Sequence, residues 1–280
     1  MTVCVAAICE DGKKIVVAAD RMFTASAPIN LEFETEEKKL EPLAKSAVAL
    51  SSGSSGAATE VLNETLARLS GSQTPIIAEV ARLLNTAYVG IRASKAQETI
   101  VMPALGRDFG DFLTKGGTLP NYLQVQPGIY QQLVATMAQF NLDLEIIVAG
   151  IDATGAHIHR VTHPGTSYCL DKLGYDAIGS GGIHALTRLY LGAQTRHKGL
   201  LETVYAVYDA KRAAEVAPGV GKDTDLAVID SSGISPGSRT VLDQLATAHA
   251  KAANALAPNL DGLKAALEGT KKNGSPSGSA

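Results

Sequence analysis

Tryptophan is absent from this chain of 280 residues, and aromatic side chains of every kind amount to 5% of it. So few rings weigh against stacking platforms for nucleic-acid bases. Neither sign of charge dominates, with 25 Lys and Arg against 28 Asp and Glu and a net charge of −3. An electrostatic footprint for nucleic acid or for an anionic membrane surface is therefore missing. No apolar run approaches the roughly 20 residues that span a bilayer. The first residues also lack the basic region and small-residue cleavage site of a signal peptide. Cysteine is scarce. Cys4, Cys9 and Cys169 are an odd number at no metal-binding spacing, so a reduced, cytoplasmic protein with core thiols is expected.

Metal and cofactor signatures are equally thin. His157 and His159 share a strand face near His163, but no cysteine or carboxylate cluster completes a ligand set, and surface histidines are expected. The Gly/Ser-rich residues 51–56 lack the Lys-Ser/Thr ending of a phosphate loop. No nucleophile-elbow pattern supports a Ser-His-Asp triad. Neither a cofactor nor a metal is expected.

What the chain does have is 45% apolar content, ample for a core in one large domain or two small ones. It is organised around its opening segment: TVCVAAIC, then EDGKK, then IVVAADR. Two β-branched apolar runs about an Asp-Gly signal predict a hairpin. Thr2 heads the first strand. It is small enough for Met1 to be removed in the cell, and removal leaves a free α-amine beside a hydroxyl. That pairing makes a nucleophile carrying its own base, because the hydroxyl attacks while the amine takes the proton. An α-amine titrates at about pH 8, so a modest downward shift suits it to neutral pH.

Further along, residues 22–37 read as a polar surface loop, and 38–43 and 45–51 as two short strands. An apolar stripe of Ala58, Val61, Leu62, Leu66 and Leu69 predicts a helix stopping at Gly71. A second helix is expected from Thr74 as N-cap and Pro75 as first helical residue. Residues 93–140 are broken by repeated Gly and Pro and read as a loop-rich insertion between helical pieces. Strands are expected at 145–151, 156–161, 167–171, 175–178 and 225–230. Helices are expected after Gly179, with Ile183, Leu186, Leu189 and Tyr190 on the inner face, and at 200–216. Strands and helices in segregated runs argue for α+β layers, two antiparallel sheets face to face with a helix pair outside each. Residues 1–232 form the expected domain. Residues 233–280 read as an extension, helical at 240–256 and 261–267, then a disordered tail from 271.

These elements, with the residues at their junctions, resemble the proteasome β-subunit family of N-terminal nucleophile hydrolases, including bacterial ring peptidases. Thr2 heads the first strand, and Ala18-Ala19-Asp20-Arg21 is similar to the family's A-x-D-R. Lys39-Leu40 looks like the lysine opening its third strand, and residues 52–58, SGSSGAA, like the turn into its first helix. Ala149-Gly150-Ile151-Asp152, Gly179-Ser180-Gly181 and residues 225–229, DLAVI, resemble its G-G-x-D, G-S-G and D-V-A-V-I. Seven such landmarks fall in the family's order over residues 2–230.

The resemblance implies a four-layer αββα sandwich and a threonine-type peptidase. It also implies a homo-oligomeric ring, peptide or unfolded-protein substrates, and an ATPase unfoldase as a candidate partner. Thr2 is the implied nucleophile. Lys39 supplies a buried cation that lowers the amine's pKa, and Asp20 holds that cation. The Gly53 N–H, at a turn before a helix, receives the oxyanion, and Ser180 relays the amine's proton. The alternatives are an N-terminal nucleophile amidase or transpeptidase with a dedicated substrate, and a catalytically silent structural subunit. Three features depart from the family: a longer first turn, the 93–140 insertion, and residues 216–221, which lack the expected second aspartate and serine.

Overall fold

The fold comes from a computed structural model that describes residues 2–25, 31–35, 38–69, 75–105 and 127–255. It is a mixed α+β structure with antiparallel sheets. The opening hairpin is present as β1 (Cys4–Cys9) and β2 (Lys14–Asp20), joined by a short 3-10 turn at Glu10–Gly12. All six residues of β1 are buried, which is why it reads as an unbroken apolar run instead of alternating. β10 (Tyr175–Ile178) pairs on the free side of β1. β11 (Thr224–Asp230) and β12 (Gly233–Pro236) follow β2, for the order β10-β1-β2-β11-β12. Cys4 lies opposite Ile178 on one side and Ala19 on the other. Thr2 therefore emerges between the end of β2 and the end of β10.

The second sheet runs β5 (Leu40–Ala44), β6 (Ala47–Gly53), β7 (Leu144–Asp152), β8 (Gly155–Thr162) and β9 (Thr166–Cys169). Alternation along these strands supplies two cores. Cys4, Ile8, Ile15 and Val17 of the hairpin meet Val48, Leu50, Ile147 and Ile158 of the second sheet in one cluster. Ala47, Ala49, Ile146 and Val148 face the other way, onto α1 (Ser55–Arg68) and α2 (Ile77–Ala96) through Val61, Val80, Leu84 and Tyr88. Burying one such aliphatic side chain contributes about 1.5–3 kcal/mol. Across the first sheet, α6 (Leu200–Ala214) lies against β1 and β2, and α5 (Gly182–Leu191) against β10.

Several expectations are corrected. Residues 22–37 are not simply loop: β3 (Met22–Ala25) and β4 (Leu31–Glu34) form a two-stranded ribbon with Phe23 opposite Phe33. Each strand has four residues, too few for alternation to stand out. The expected N-cap Thr74 falls outside the described residues, and Pro75 is not the first helical residue. α2 opens at Ile77, whose N–H donates to Asp152 Oδ2 at 2.9 Å across 75 residues, a cap that local sequence cannot reveal. Helix also continues past 93, through a π turn at Gln97–Val101 into α3 (Met102–Leu105), and α4 spans Pro127–Gln139. Residues 106–126 of the expected insertion lie outside the described residues.

The inner face of α5 is Gly182, Ala185 and Leu189, while Ile183 and Tyr190 point outward at 67% and 73% exposure. The helix sits too close for larger side chains, since a Cβ at Gly182 would stand 3.1 Å from the Ala177 carbonyl oxygen. Cys169, expected in the core, is exposed. His159, expected on the surface, is buried. His157 Nδ1 lies 2.7 Å from Asp171 and its Nε2 2.7 Å from Thr154.

The chain divides into two units after Gly237, beyond the expected boundary because β12 joins the first sheet. The second unit contains α7 (Arg239–Ala255). Residues 261–267 and the tail from 271 lie outside the described residues. No described helix is long and apolar enough to cross a membrane.

Candidate active site

Asp20 ends β2, and its carboxylate meets four donors. Oδ1 accepts from the Val3 N–H at 3.0 Å and from Lys39 Nζ at 2.9 Å. Oδ2 accepts from Met22 N–H at 3.0 Å and from Gly221 N–H at 2.9 Å. The Met22 donor lies two residues further along the chain. The Val3 donor follows from register, since β1 and β2 run antiparallel and Val3 faces Asp20 as the ladder closes. Its backbone reciprocates, with the Asp20 N–H donating to the Val3 carbonyl at 3.1 Å.

Lys39 precedes β5 directly instead of opening it, and with β3 and β4 intervening that strand is the fifth. Its ammonium donates to Asp20 and also to Thr2 Oγ1. Thr2, Asp20 and Lys39 are all buried, Asp20 completely. A buried ammonium held by a carboxylate is retained only when its remaining protons also find acceptors, and the threonine hydroxyl is one. The Phe23 ring covers the same nitrogen with its centroid 5.4 Å away, a cation–π contact made by the β3–β4 ribbon.

On the opposite side of Thr2, the Thr2 nitrogen donates to Ser180 Oγ at 3.2 Å. The Ser180 hydroxyl has one proton, and two carbonyl oxygens lie at 3.4 Å from it, Thr2 and Pro218. Gly179 makes this approach feasible. Its φ is +92°, and a Cβ there would stand 2.2 Å from the Thr2 carbonyl oxygen and 2.7 Å from Ser52 Oγ. Only glycine fits, by both space and backbone conformation.

Four of the five expected site residues, Thr2, Asp20, Lys39 and Ser180, thus form one hydrogen-bonded constellation. Gly53 is not bonded to the other four among the described residues. It closes β6 one residue after Ser52, with φ at +109° and a Cβ position 1.8 Å from the Asp143 carbonyl oxygen. Beyond it, Ser54 caps α1 by accepting from the Ala57 N–H.

Cys4 is a rival nucleophile close enough to feel the charges of Lys39 and Asp20. Burial pushes its thiol well above the ordinary range, with Lys39 opposing and Asp20 adding to the rise. Its Sγ donates to the Ser51 carbonyl at 3.4 Å. A thiol so held is not a thiolate and is inert.

Sequence reasoning missed several neighbours. Ser52 lies on the same face of β6 as Leu50, with its Oγ beside Gly179, but a serine in a Gly/Ser-rich turn carries no signal. Gly221 supplies a donor to Asp20 through its backbone, which no side-chain motif encodes. Glu145 on β7, directly opposite Ser52, accepts from the Gly179 N–H at 3.4 Å and from Arg160 at 2.6 Å. Arg160 also reaches Asp176 Oδ1 at 3.6 Å. Burial pushes the Asp176 carboxyl up to about 6, against the pull of Arg160.

The geometry presents a hydroxyl touched by an ammonium, beside its own main-chain nitrogen and a second hydroxyl. That arrangement suits attack on an acyl carbon once the nitrogen is free. Compared with protein-family models and with curated proteins, the chain matches none of them.

Proposed function

We propose that this chain is a threonine-type peptidase of the N-terminal nucleophile class, related to proteasome β-subunits, with Thr2 exposed by removal of Met1. The observation that carries the proposal is the Lys39 ammonium bridging Thr2 Oγ1 and Asp20 Oδ1 in a buried setting. In this reading the two sheets are the inner layers of a four-layer αββα sandwich. The site works on peptides or unfolded chains inside a cytoplasmic homo-oligomeric ring, fed by an ATPase unfoldase.

The chemistry follows in steps. Thr2 Oγ attacks the scissile carbonyl carbon while its proton passes to the Thr2 amine, with Ser180 hydrogen-bonded alongside. Lys39 next to the oxygen favours the anionic form of the attacking group and disfavours a charged amine, so the base stays neutral near pH 7. The oxyanion is received by the Gly53 N–H, helped by the positive end of α1. The C–N bond then breaks, and the protonated amine gives its proton to the leaving nitrogen. Water, deprotonated by the same amine, releases the acyl group from Oγ.

The test compares wild type with Thr2→Ala on a fluorogenic peptide library, alongside N-terminal sequencing. A peptide epoxyketone, which condenses with a free 1,2-amino alcohol, serves as the site probe. Cleavage and probe uptake by wild type alone support the reading. Equal behaviour of the two proteins after clean loss of Met1 ends it.

A further inference from the structure

Lys211 joins Lys39 as a buried ammonium among the described residues, on α6 and with no exposed surface. Apolar residues are the usual occupants of such a helix position, and a charge there must be matched by acceptors. It is fully matched. Nζ donates to Glu215 Oε1 at 2.7 Å and to the carbonyl oxygens of Gly221 at 2.9 Å and Lys222 at 2.8 Å. An ammonium has three protons, and here each has an acceptor. Two of those acceptors are consecutive carbonyls of the segment between α6 and β11.

That segment touches the Thr2 site twice. The Gly221 N–H donates to Asp20 Oδ2 at 2.9 Å, and the Pro218 carbonyl oxygen lies 3.4 Å from Ser180 Oγ, one of the two acceptors in reach of its proton. Both contacts come from within residues 216–221, where the resembled family leads one to expect an aspartate and a serine and neither is present, and both are made by backbone groups. A backbone can do so only if its path is held. From one side Glu34 Oε1 accepts the Lys222 and Asp223 N–H groups. From the other side Lys211 holds the carbonyls. A Cβ at Gly221 would stand 2.5 Å from Glu34 Oε1, so the segment passes as close to the ribbon as a glycine permits.

We infer that Lys211 is a positioning residue of the Thr2 site, its ammonium fixing residues 218–222 so that Gly221 orients Asp20 and Pro218 orients Ser180. The inference rests on the peptidase reading above. The charged groups facing Lys211 are Glu215 and Arg212 of its own helix and Asp20 of β2. Lys211 touches no reacting atom. Its effect reaches Lys39 through Asp20, and the Thr2 nitrogen through Ser180.

Lys211→Met keeps the volume and removes the three donors. With the full chain and the best fluorogenic peptide, kcat falls by about ten- to a hundredfold, as expected for a misplaced catalytic group. KM stays near the wild-type value, and labelling of Thr2 by the peptide epoxyketone slows in parallel. Glu215→Gln gives a smaller drop in kcat in the same direction. It decides the matter if Lys211→Met does not fold, with lowered kcat supporting the inference and wild-type kcat overturning it. A folded Lys211→Met with wild-type kcat and labelling overturns it, as does a rise in KM alone. A wild-type chain that neither cleaves nor labels defeats the peptidase reading and Lys211 with it, whereas active wild type beside equally active Lys211→Met defeats only the inference.

Discussion

Asp20 and Asp176 are two buried carboxylates in one sheet, on the strands flanking β1, yet their surroundings differ. Asp20 has four donors, one of them an ammonium, and each oxygen takes two. Asp176 has one guanidinium at 3.6 Å, and its Oδ2 is buried without a partner, as is Arg160 Nε. A carboxylate so well supplied can serve as the fixed point of a site, since moving it would break four contacts together. One with an orphaned oxygen has the cost of burial only partly offset, by Arg160 and a backbone hydrogen bond from Ala177, and burial accordingly raises its pKa to about 6. The same side chain is therefore an anchor in one place and a liability in the other. Gly179 lies between them, touching Thr2 on one side and Glu145 on the other.

The largest expected effect comes from breaking the well-supplied member. Asp20→Asn strands the Lys39 charge, and loss of one partner of a buried pair costs about 3–5 kcal/mol. Denaturant unfolding measures that, and epoxyketone labelling of Thr2 falls to the level of Thr2→Ala.

Asp176 is expected to show its liability in pH dependence. Its folded pKa is about 6 against a reference of 3.8, so between these values the folded state binds more protons. Stability then falls as pH rises from about 4 to about 6, by about 3 kcal/mol for a shift of this size. Asp176→Asn removes that fall, and unfolding midpoints at pH 4 and pH 7 then converge.

Gly179→Ala tests the joint between the two clusters. A Cβ meeting the Thr2 carbonyl at a positive φ costs about 1–3 kcal/mol of strain. Displacement of Thr2 lowers peptide cleavage more than it lowers the melting temperature.

The smallest effect concerns Asp152, a well-bonded carboxylate outside the site, held down to about 2 by hydrogen bonds from Thr154 and the Ile77 N–H that together outweigh burial. A depressed pKa contributes stability above about 4 that is lost as pH falls towards 2, about 2 kcal/mol in all. Asp152→Ala removes that contribution at neutral pH, the Ile77 cap included, and flattens the acid limb, which thermal unfolding at pH 2.5 and pH 7 detects.

Much of the anchored region was legible. Asp20 stands where an apolar strand ends, Thr2 where its partner begins, and Ser180 in a Gly-Ser-Gly turn after another strand. Each is marked by a local change of pattern. Asp176 was not legible, for it sits inside a four-residue strand that reads as apolar. Lys211 and Glu215 were not either, because an i,i+4 Lys–Glu pair on a helix ordinarily reads as solvent-exposed. The β3–β4 ribbon escaped for lack of length, and the cap of α2 because its carboxylate arrives from a distant strand.

By itself, the order of residues determined most strands of the two larger sheets, the helices beside them and which side chains stand at strand ends, since periodicity and turn chemistry are properties of neighbours along the chain. Only the folded chain decided which charges are buried and who satisfies them. A carboxylate at the end of β2 became a four-way anchor because Lys39 and Gly221, remote in sequence, join the Val3 and Met22 N–H groups around Asp20, while Ser180 reaches Thr2 from the other side. Such convergence depends on how sheets and helices stack, and no local pattern encodes that.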